Sequence, residues 1–151
     1  MTKFVREVVV ACPPDHVFGV LSDIERLPEF SEMTVAVRNG PGRPVLAGDH
    51  FEQAIKVLGV ELETKWEVTE VVANRLVRVE GTSHGNGRAS LTQEVGADGA
   101  GSRVTFTVDY DPPFGVLGDI ADKLVFEHRN EEQAEEILAR LKTLCEGVPS
   151  A

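Results

Sequence analysis

Five side chains in this sequence could hydrogen-bond to a small molecule or move a proton: Gln53, Thr64, Gln93, Tyr110 and His128. The first four fall in segments where polar and apolar residues alternate, on the face that carries most of the apolar residues. An amide or hydroxyl in such a position can orient a carbonyl, and an imidazole can also serve as a general acid or base. An inward amide must find a partner, because burying it alone costs free energy, and a ligand or an ordered water could supply that partner.

Each of these residues also has a plainer interpretation. A slip of one residue at a β-bulge would turn Gln53 and Gln93 toward solvent. His128 could be a structural histidine held by a hydrogen bond. Trp66 is the only tryptophan and favours core packing, whereas Tyr110, the only tyrosine, ends its strand and suits either the core or a pocket rim.

Other familiar site patterns are missing from the sequence. It contains no nucleophile elbow, no phosphate-binding loop and no dinucleotide fingerprint. The four histidines show no metal-ligand spacing, and Cys12 and Cys145 lack a Cys or His neighbour at such a spacing. We therefore expect no metal and no cofactor, and we expect both cysteines to be free thiols that are buried or half-buried.

The segments that position the five side chains are mostly strands. Residues 60–69 show the cleanest alternation, with an apolar face opposite a charged one. Two short helices are predicted after the first strand, one beginning at Pro13-Pro14-Asp15 and one over residues 24–30. Strands are predicted at 4–11, 33–38, 50–58, 60–69, 76–81, 89–95 and 104–110. Short turns between consecutive strands favour antiparallel pairing and an α+β fold.

The last third of the chain, Pro112 to Gly147, predicts one long helix with an apolar stripe. No second long helix is predicted, so the stripe must pack against a curved sheet, and a hollow can remain between the two. The C-terminal half of the stripe is continuous and should hold the helix to the sheet. From Leu117 through Leu124 to His128 it is sparser, and there we expect the pocket to open.

Composition restricts the classes of partner. With 151 residues, the chain is predicted to form one domain, residues 1–151. The net charge of −10 argues against binding nucleic acid or an anionic membrane, and no apolar run is long enough to span a bilayer. The N-terminal residues show no signal-peptide pattern, so the predicted location is the cytoplasm.

The order of these elements resembles the START/Bet v1-like superfamily, also known as the helix-grip or polyketide cyclase/dehydrase and lipid-transport group. The resemblance covers nearly the whole chain. The motifs that carry it are Ala11-Cys12-Pro13-Pro14-Asp15-His16-Val17-Phe18-Gly19-Val20-Leu21-Ser22-Asp23, the segment from Ile24 through Pro28-Glu29-Phe30, Gly48-Asp49-His50-Phe51, Gly59, and Trp66-Glu67-Val68-Thr69-Glu70. It implies a helix-grip fold, in which a curved antiparallel sheet of about seven strands wraps around one long C-terminal helix.

The resemblance also implies a cavity between the sheet and the long helix. We therefore expect the chain to bind an apolar or aromatic small molecule, such as a lipid, quinone or polyketide-like compound, as a monomer or homodimer. The expected ligand-binding residues combine an apolar wall with a few hydrogen-bonding groups: Phe51, Gln53, Ile55, Leu62, Thr64, Trp66, Gln93, Phe106, Tyr110, Leu124 and His128.

An aromatic polyketide cyclase or dehydratase is the alternative function. Such members of the superfamily position a poly-β-ketone and move a proton, and an inward arginine with hydroxyl side chains is implicated in the aromatases. The predicted inner positions here carry no arginine, because Arg78 and Arg88 alternate to the outer face. Catalytic residues therefore remain unassigned; in an enzyme, the five side chains named first would be the candidates.

Overall fold

The computed structural model describes residues 2–57, 59–83, 87–111 and 123–147. Within these ranges, seven strands and three α-helices follow one another in the predicted order, and residues 112–122 of the predicted long helix lie outside them. The elements are β1 (Thr2–Val10), α1 (Pro14–Leu21), a 3-10 turn (Ile24–Arg26) leading into α2 (Leu27–Phe30), β2 (Thr34–Arg38), β3 (His50–Val57), β4 (Val60–Val72), β5 (Leu76–Ser83), β6 (Gly87–Asp98), β7 (Gly101–Asp111) and α3 (Lys123–Glu146).

All seven strands form one antiparallel sheet in the order β1-β7-β6-β5-β4-β3-β2. Strands β2 to β7 therefore follow one another as a meander, while α1 and α2 carry the chain from one edge of the sheet to the other. The curved sheet wraps around α3, which confirms the predicted helix-grip fold.

Alternation along the strands separates the two faces of the sheet. On β4, Thr64 and Val68 are buried, whereas Glu63 and Glu67 are exposed. On β3 and β6, Gln53 and Gln93 are both buried. The predicted inner face is therefore correct for both glutamines, and neither is turned to solvent by a bulge.

The C-terminal half of α3 packs at the closed end of the sheet. Leu138 and Leu141 are almost fully buried and contact Val95 of β6 and Val104 of β7, in a cluster that α1 completes. Large branched side chains meet from three sides there, so the space is filled. This confirms the prediction that this half of the helix holds it to the sheet.

Hydrogen bonds fix the end of α3 to the junction between β1 and α1. The Cys12 thiol donates to the backbone carbonyl of Cys145 at 2.8 Å, and the backbone N–H of Ala11 donates to a Glu146 carboxylate oxygen at 2.8 Å. His16 Nε2 lies 3.1 Å from the same Cys145 carbonyl. Both cysteines are free, Cys12 half-buried and Cys145 buried, as predicted. Burial raises the pKa of the Cys145 thiol to about 11.

The outer face of α3 carries His128, which corrects its predicted place on the inner stripe. Its side chain is 76% exposed, and Nε2 lies 3.7 Å from Glu132. The buried Ala134 lies six positions after His128. At 100° per residue, six positions turn the helix by about 600°, which is about 120° short of two full turns, so the two side chains lie on different faces. The three- and four-residue steps therefore do not keep His128 on the inner face. Among the described helices, none is long and apolar enough to cross a membrane.

Candidate functional site

A cavity of about 200 Å³ lies between the inner face of the sheet, the α1–α2 segment and α3. For comparison, an engineered apolar cavity of roughly 150 Å³ is enough to bind benzene. From α3, Asn130, Ala134 and Ile137 reach its wall. The walls are mainly apolar, with a few hydrogen-bonding groups, which is the composition of a small-molecule pocket.

Nine of the predicted ligand-binding residues lie at this wall. They come from β3, β4, β6 and β7: Phe51, Gln53, Ile55, Leu62, Thr64, Trp66, Gln93, Phe106 and Tyr110. The side chain of Leu124 lies outside the described residues, and His128 is not part of the wall. Contact between these nine residues and a ligand stays a prediction.

The α1–α2 segment supplies a part of the wall that the sequence analysis missed. Leu21, Ile24, Leu27 and Phe30 all line the cavity. Consecutive members lie three residues apart, a spacing that makes side chains neighbours on a helix surface, and this spacing could have pointed to their role. Helix α1 contacts β6 and β7, and α2 contacts β2 and α3, so the two helices together cover this side of the cavity.

A chain of hydrogen bonds runs along one wall. Trp66 Nε1–H donates to Gln53 Oε1 at 2.9 Å, and Gln53 Nε2–H donates to Thr34 Oγ1 at 2.7 Å. Thr34 in turn lies 2.6 Å from the hydroxyl of Ser31. The indole N–H can only donate, so it sets which end of the Gln53 amide faces it. Two protein groups thus hold the amide of Gln53, which joins β3 and β4 to the end of α2.

A glycine on β5 makes room for the indole ring of Trp66. Gly81 pairs with Trp66 across the sheet, and a Cβ built on Gly81 would lie 2.6 Å from Trp66 Cε3. The ring therefore lies against the β5 backbone, where a side chain on Gly81 would collide with it. Phe51 stacks on Trp66 at 6.3 Å between ring centroids with an interplanar angle of 18°.

Gln93 differs from Gln53 in its surroundings. Its side chain is 93% buried and lines the cavity, yet within the described part of the chain its amide has no hydrogen-bond partner. The hydroxyl of Thr64 likewise has none among the described residues. These two groups are available to a molecule in the cavity.

Tyr110 and Phe4 form the wall beside β1. Their rings meet edge to face, with centroids 6.3 Å apart at 80°. The guanidinium carbon of Arg6 lies 5.4 Å from the centroid of Phe4, and Arg6 bridges to α3 through Glu131 at 2.5 Å and Glu135 at 2.9 Å. These contacts couple the wall to the helix.

Three charged residues belong to the described lining of the cavity. Arg88 and Asp111 pair loosely at 3.9 Å, and their side chains are 67% and 37% exposed. Asp23, between α1 and the 3-10 turn, also lines the cavity and is half-buried. In the described ranges, no group of three or more His, Cys, Asp or Glu side chains is arranged to hold a metal ion.

Comparison with solved structures shows the same fold in other proteins. An aromatase/cyclase from Streptomyces sp. R1128 matches with a TM-score of 0.73 and 18% identity, over 96% of this chain and 93% of that one. A protein from Thermus thermophilus matches with a TM-score of 0.74 and 18% identity, over 95% and 97% of the two chains. The major latex-like protein 151 of Panax ginseng matches with a TM-score of 0.65 and 13% identity, over 91% and 95%.

Sequence comparison identifies the family. No curated protein sequence matches the chain significantly. Residues 1–146, nearly the whole chain, match the family described as polyketide cyclase / dehydrase and lipid transport. The seven-stranded sheet wrapped around α3 and the structural relatives agree with this match. The chain therefore belongs to the polyketide cyclase / dehydrase and lipid transport family.

Proposed function

We propose that this protein binds a small apolar or aromatic molecule, such as a lipid, quinone or polyketide-like compound, in the cavity between the sheet and α3. The observation that carries the proposal is the cavity of about 200 Å³ with its mainly apolar wall. Removing apolar ligand surface from water would favour binding by about 25 cal/mol per Å².

Trp66 provides a direct readout of binding, because it is the only tryptophan and lies at the cavity wall. Titration with naphthalene or a medium-chain alcohol should change its fluorescence in a saturable way. Ala89 also lines the cavity, and Ala89→Leu should fill part of it. The leucine and a bound ligand would then compete for the same volume. Overpacking of this kind costs about 1–3 kcal/mol, so the dissociation constant of the ligand should rise about fivefold or more.

The matched control is Ala97→Leu, on the same strand at an exposed position. It should leave binding unchanged, and thermal unfolding should show that both variants are folded. Absence of saturable binding to the wild-type protein, or equal binding by the folded Ala89→Leu variant, would contradict the proposal.

A second candidate is an aromatic polyketide cyclase or dehydratase acting on a poly-β-ketone in the same cavity. The free amide of Gln93 and the hydroxyl of Thr64 favour it, because both could orient a ketone. Exposure of His128 removes one candidate for proton transfer, and the arginine at the described wall, Arg88, lies at the rim. Incubation with a poly-β-ketone should yield a changed pattern of cyclised products that Gln93→Leu abolishes; an unchanged pattern would refute this candidate.

The proposal retains three expectations from the sequence: one domain over residues 1–151, a cytoplasmic location, and a monomer or homodimer. Size-exclusion chromatography with light scattering would test the last of these.

A further inference from the structure

We propose that Gln93 anchors the neutral hydrogen-bonding end group of the ligand at the floor of the cavity. This inference rests on the proposed function, since it assigns the chemistry and orientation of the molecule that the cavity would hold. The ligand is then mainly apolar, with a hydroxyl, ketone or carboxamide at the end that enters first.

The position of Gln93 along β6 makes it the floor. It is the last inward residue of β6 that lines the cavity. The next inward residue, Val95, belongs to the packed core formed with Leu138 and Leu141. Across the sheet Gln93 pairs with Val77 and Phe106, both almost fully buried. The amide is thus surrounded by apolar groups on the sheet and faces the cavity.

The amide is free to bind a ligand. It has two N–H donors and one carbonyl acceptor, and none of them is paired within the described part of the chain. Gln53 differs in this respect, because Trp66 and Thr34 already form hydrogen bonds with its amide. Because no protein group in the described part of the chain pairs with the Gln93 amide, a ligand group that does so gains affinity relative to one that leaves it unpaired.

Charge at the wall specifies a neutral end group. The charged residues of the described lining are Asp23, Arg88 and Asp111; Arg88 is exposed, and Asp23 and Asp111 are half-buried. Arg88 lies five residues before Gln93 on β6, or about 16 Å along an extended strand. A carboxylate on Gln93 would therefore be buried away from a cation, which is costly. An anionic group would lie instead at the mouth, near Arg88.

Three probes of one shape test this orientation: naphthalene, 2-naphthol and 2-naphthoate, titrated by calorimetry. The wild-type protein should bind 2-naphthol about tenfold more tightly than naphthalene, the effect of one well-placed hydrogen bond. Gln93→Leu should abolish that difference while it retains naphthalene binding. Binding of 2-naphthoate should be weaker than that of 2-naphthol and insensitive to Gln93→Leu. Glu94→Gln, at the neighbouring outward and exposed position, is the matched control and should behave as wild type.

The outcomes separate this inference from the proposed function. If none of the probes binds, the proposed function itself is overturned. If naphthalene binds but 2-naphthol shows no preference that depends on Gln93, the inference alone is overturned. Tighter binding of 2-naphthoate that is lost in Gln93→Leu would also overturn it. Gln93→Met, with a flexible apolar side chain of similar length, repeats the measurement should Gln93→Leu fail to fold.

Discussion

The same substitution at the two inward glutamines should have different effects on stability. Gln53→Leu removes the acceptor of the Trp66 indole N–H, at 2.9 Å, and the donor to Thr34, at 2.7 Å. Gln93→Leu removes an amide that has no partner in the described part of the chain. Because both residues are buried to the same extent, the pair compares a hydrogen-bonded amide with an unpaired one at matched burial.

The magnitude follows from the partners left behind. A donor left unsatisfied costs about 1–3 kcal/mol, and the bond to Thr34 contributes about 1 kcal/mol. Thr34 retains Ser31 at 2.6 Å, and the new leucine regains some apolar burial. We therefore expect Gln53→Leu to lower the free energy of unfolding by about 2 kcal/mol, or the melting temperature by about 4–8 °C. Gln93→Leu should leave stability unchanged or raise it by up to about 1 kcal/mol.

Urea unfolding followed by far-ultraviolet circular dichroism is the suitable assay, because Gln53→Leu also changes the surroundings of Trp66. The slope of the transition should be the same in all three proteins, so that the midpoint reports stability. Equal destabilisation by the two substitutions would refute the reasoning, since it would mean that both amides are paired alike.

Three further predictions concern other parts of the fold. Gly81→Ala should cost about 1–3 kcal/mol and shift Trp66 emission, because its Cβ would lie 2.6 Å from the ring; unchanged emission would contradict this. Burial raises the pKa of Cys145 to about 11, so in the folded protein its thiol should react only slowly with Ellman's reagent at pH 8, and unfolding in urea should make the reaction fast. Rapid reaction of Cys145 in the folded protein would contradict this prediction. Hydrogen bonds from Arg43 and from the backbone N–H of Leu46 lower the pKa of Asp49. The stability contributed by the ionised Asp49 carboxylate is therefore present above its pKa in the unfolded chain and is lost as the pH falls. At pH 7 the wild-type protein should be more stable than Asp49→Asn, and this difference should shrink below about pH 4. A difference that stays constant with pH would refute the prediction.

Sequence patterns predicted the walls of the site well, because strand periodicity depends on local order. A period of two places Gln53 and Thr64 on the same face as Phe51 and Trp66, whatever the rest of the chain does. Burial of that face confirms the pattern. The lack of a second predicted long helix indicated that the sheet curves around the last helix, and the family resemblance then supplied the helix-grip arrangement of about seven strands.

The partners of the polar groups could not be predicted in the same way. Gln53 bonds to Thr34, nineteen residues earlier, and the contact depends on how β2 and the end of α2 meet β3. The sequence therefore offered Gln53 and Gln93 as equivalent amides. The error over His128 has a different origin: a helix gains 100° per residue, so steps of three and four must alternate correctly to remain on one face.

The cavity arises from the sizes of facing residues. At the closed end, Val95 and Val104 meet Leu138 and Leu141, and their side chains fill the space. Around the cavity, Ala89 on β6 and Ala134 on α3 carry only methyl groups, which project little from the sheet and the helix. Protein interiors are normally packed as densely as organic crystals. Where side chains line a volume but do not fill it, the protein lacks the dispersion contacts that larger side chains would have made.

A molecule that occupies the cavity should supply such contacts and raise the stability of the folded state by RT ln(1 + [L]/Kd). At a free ligand concentration of one hundred times Kd, that amounts to about 2.7 kcal/mol, or a rise in melting temperature of about 5–11 °C. A thermal-shift screen of apolar and aromatic compounds therefore measures occupancy of the cavity directly. The Ala89→Leu variant should show a smaller shift at the same ligand concentration, and an equal shift in that variant would place the ligand elsewhere on the protein.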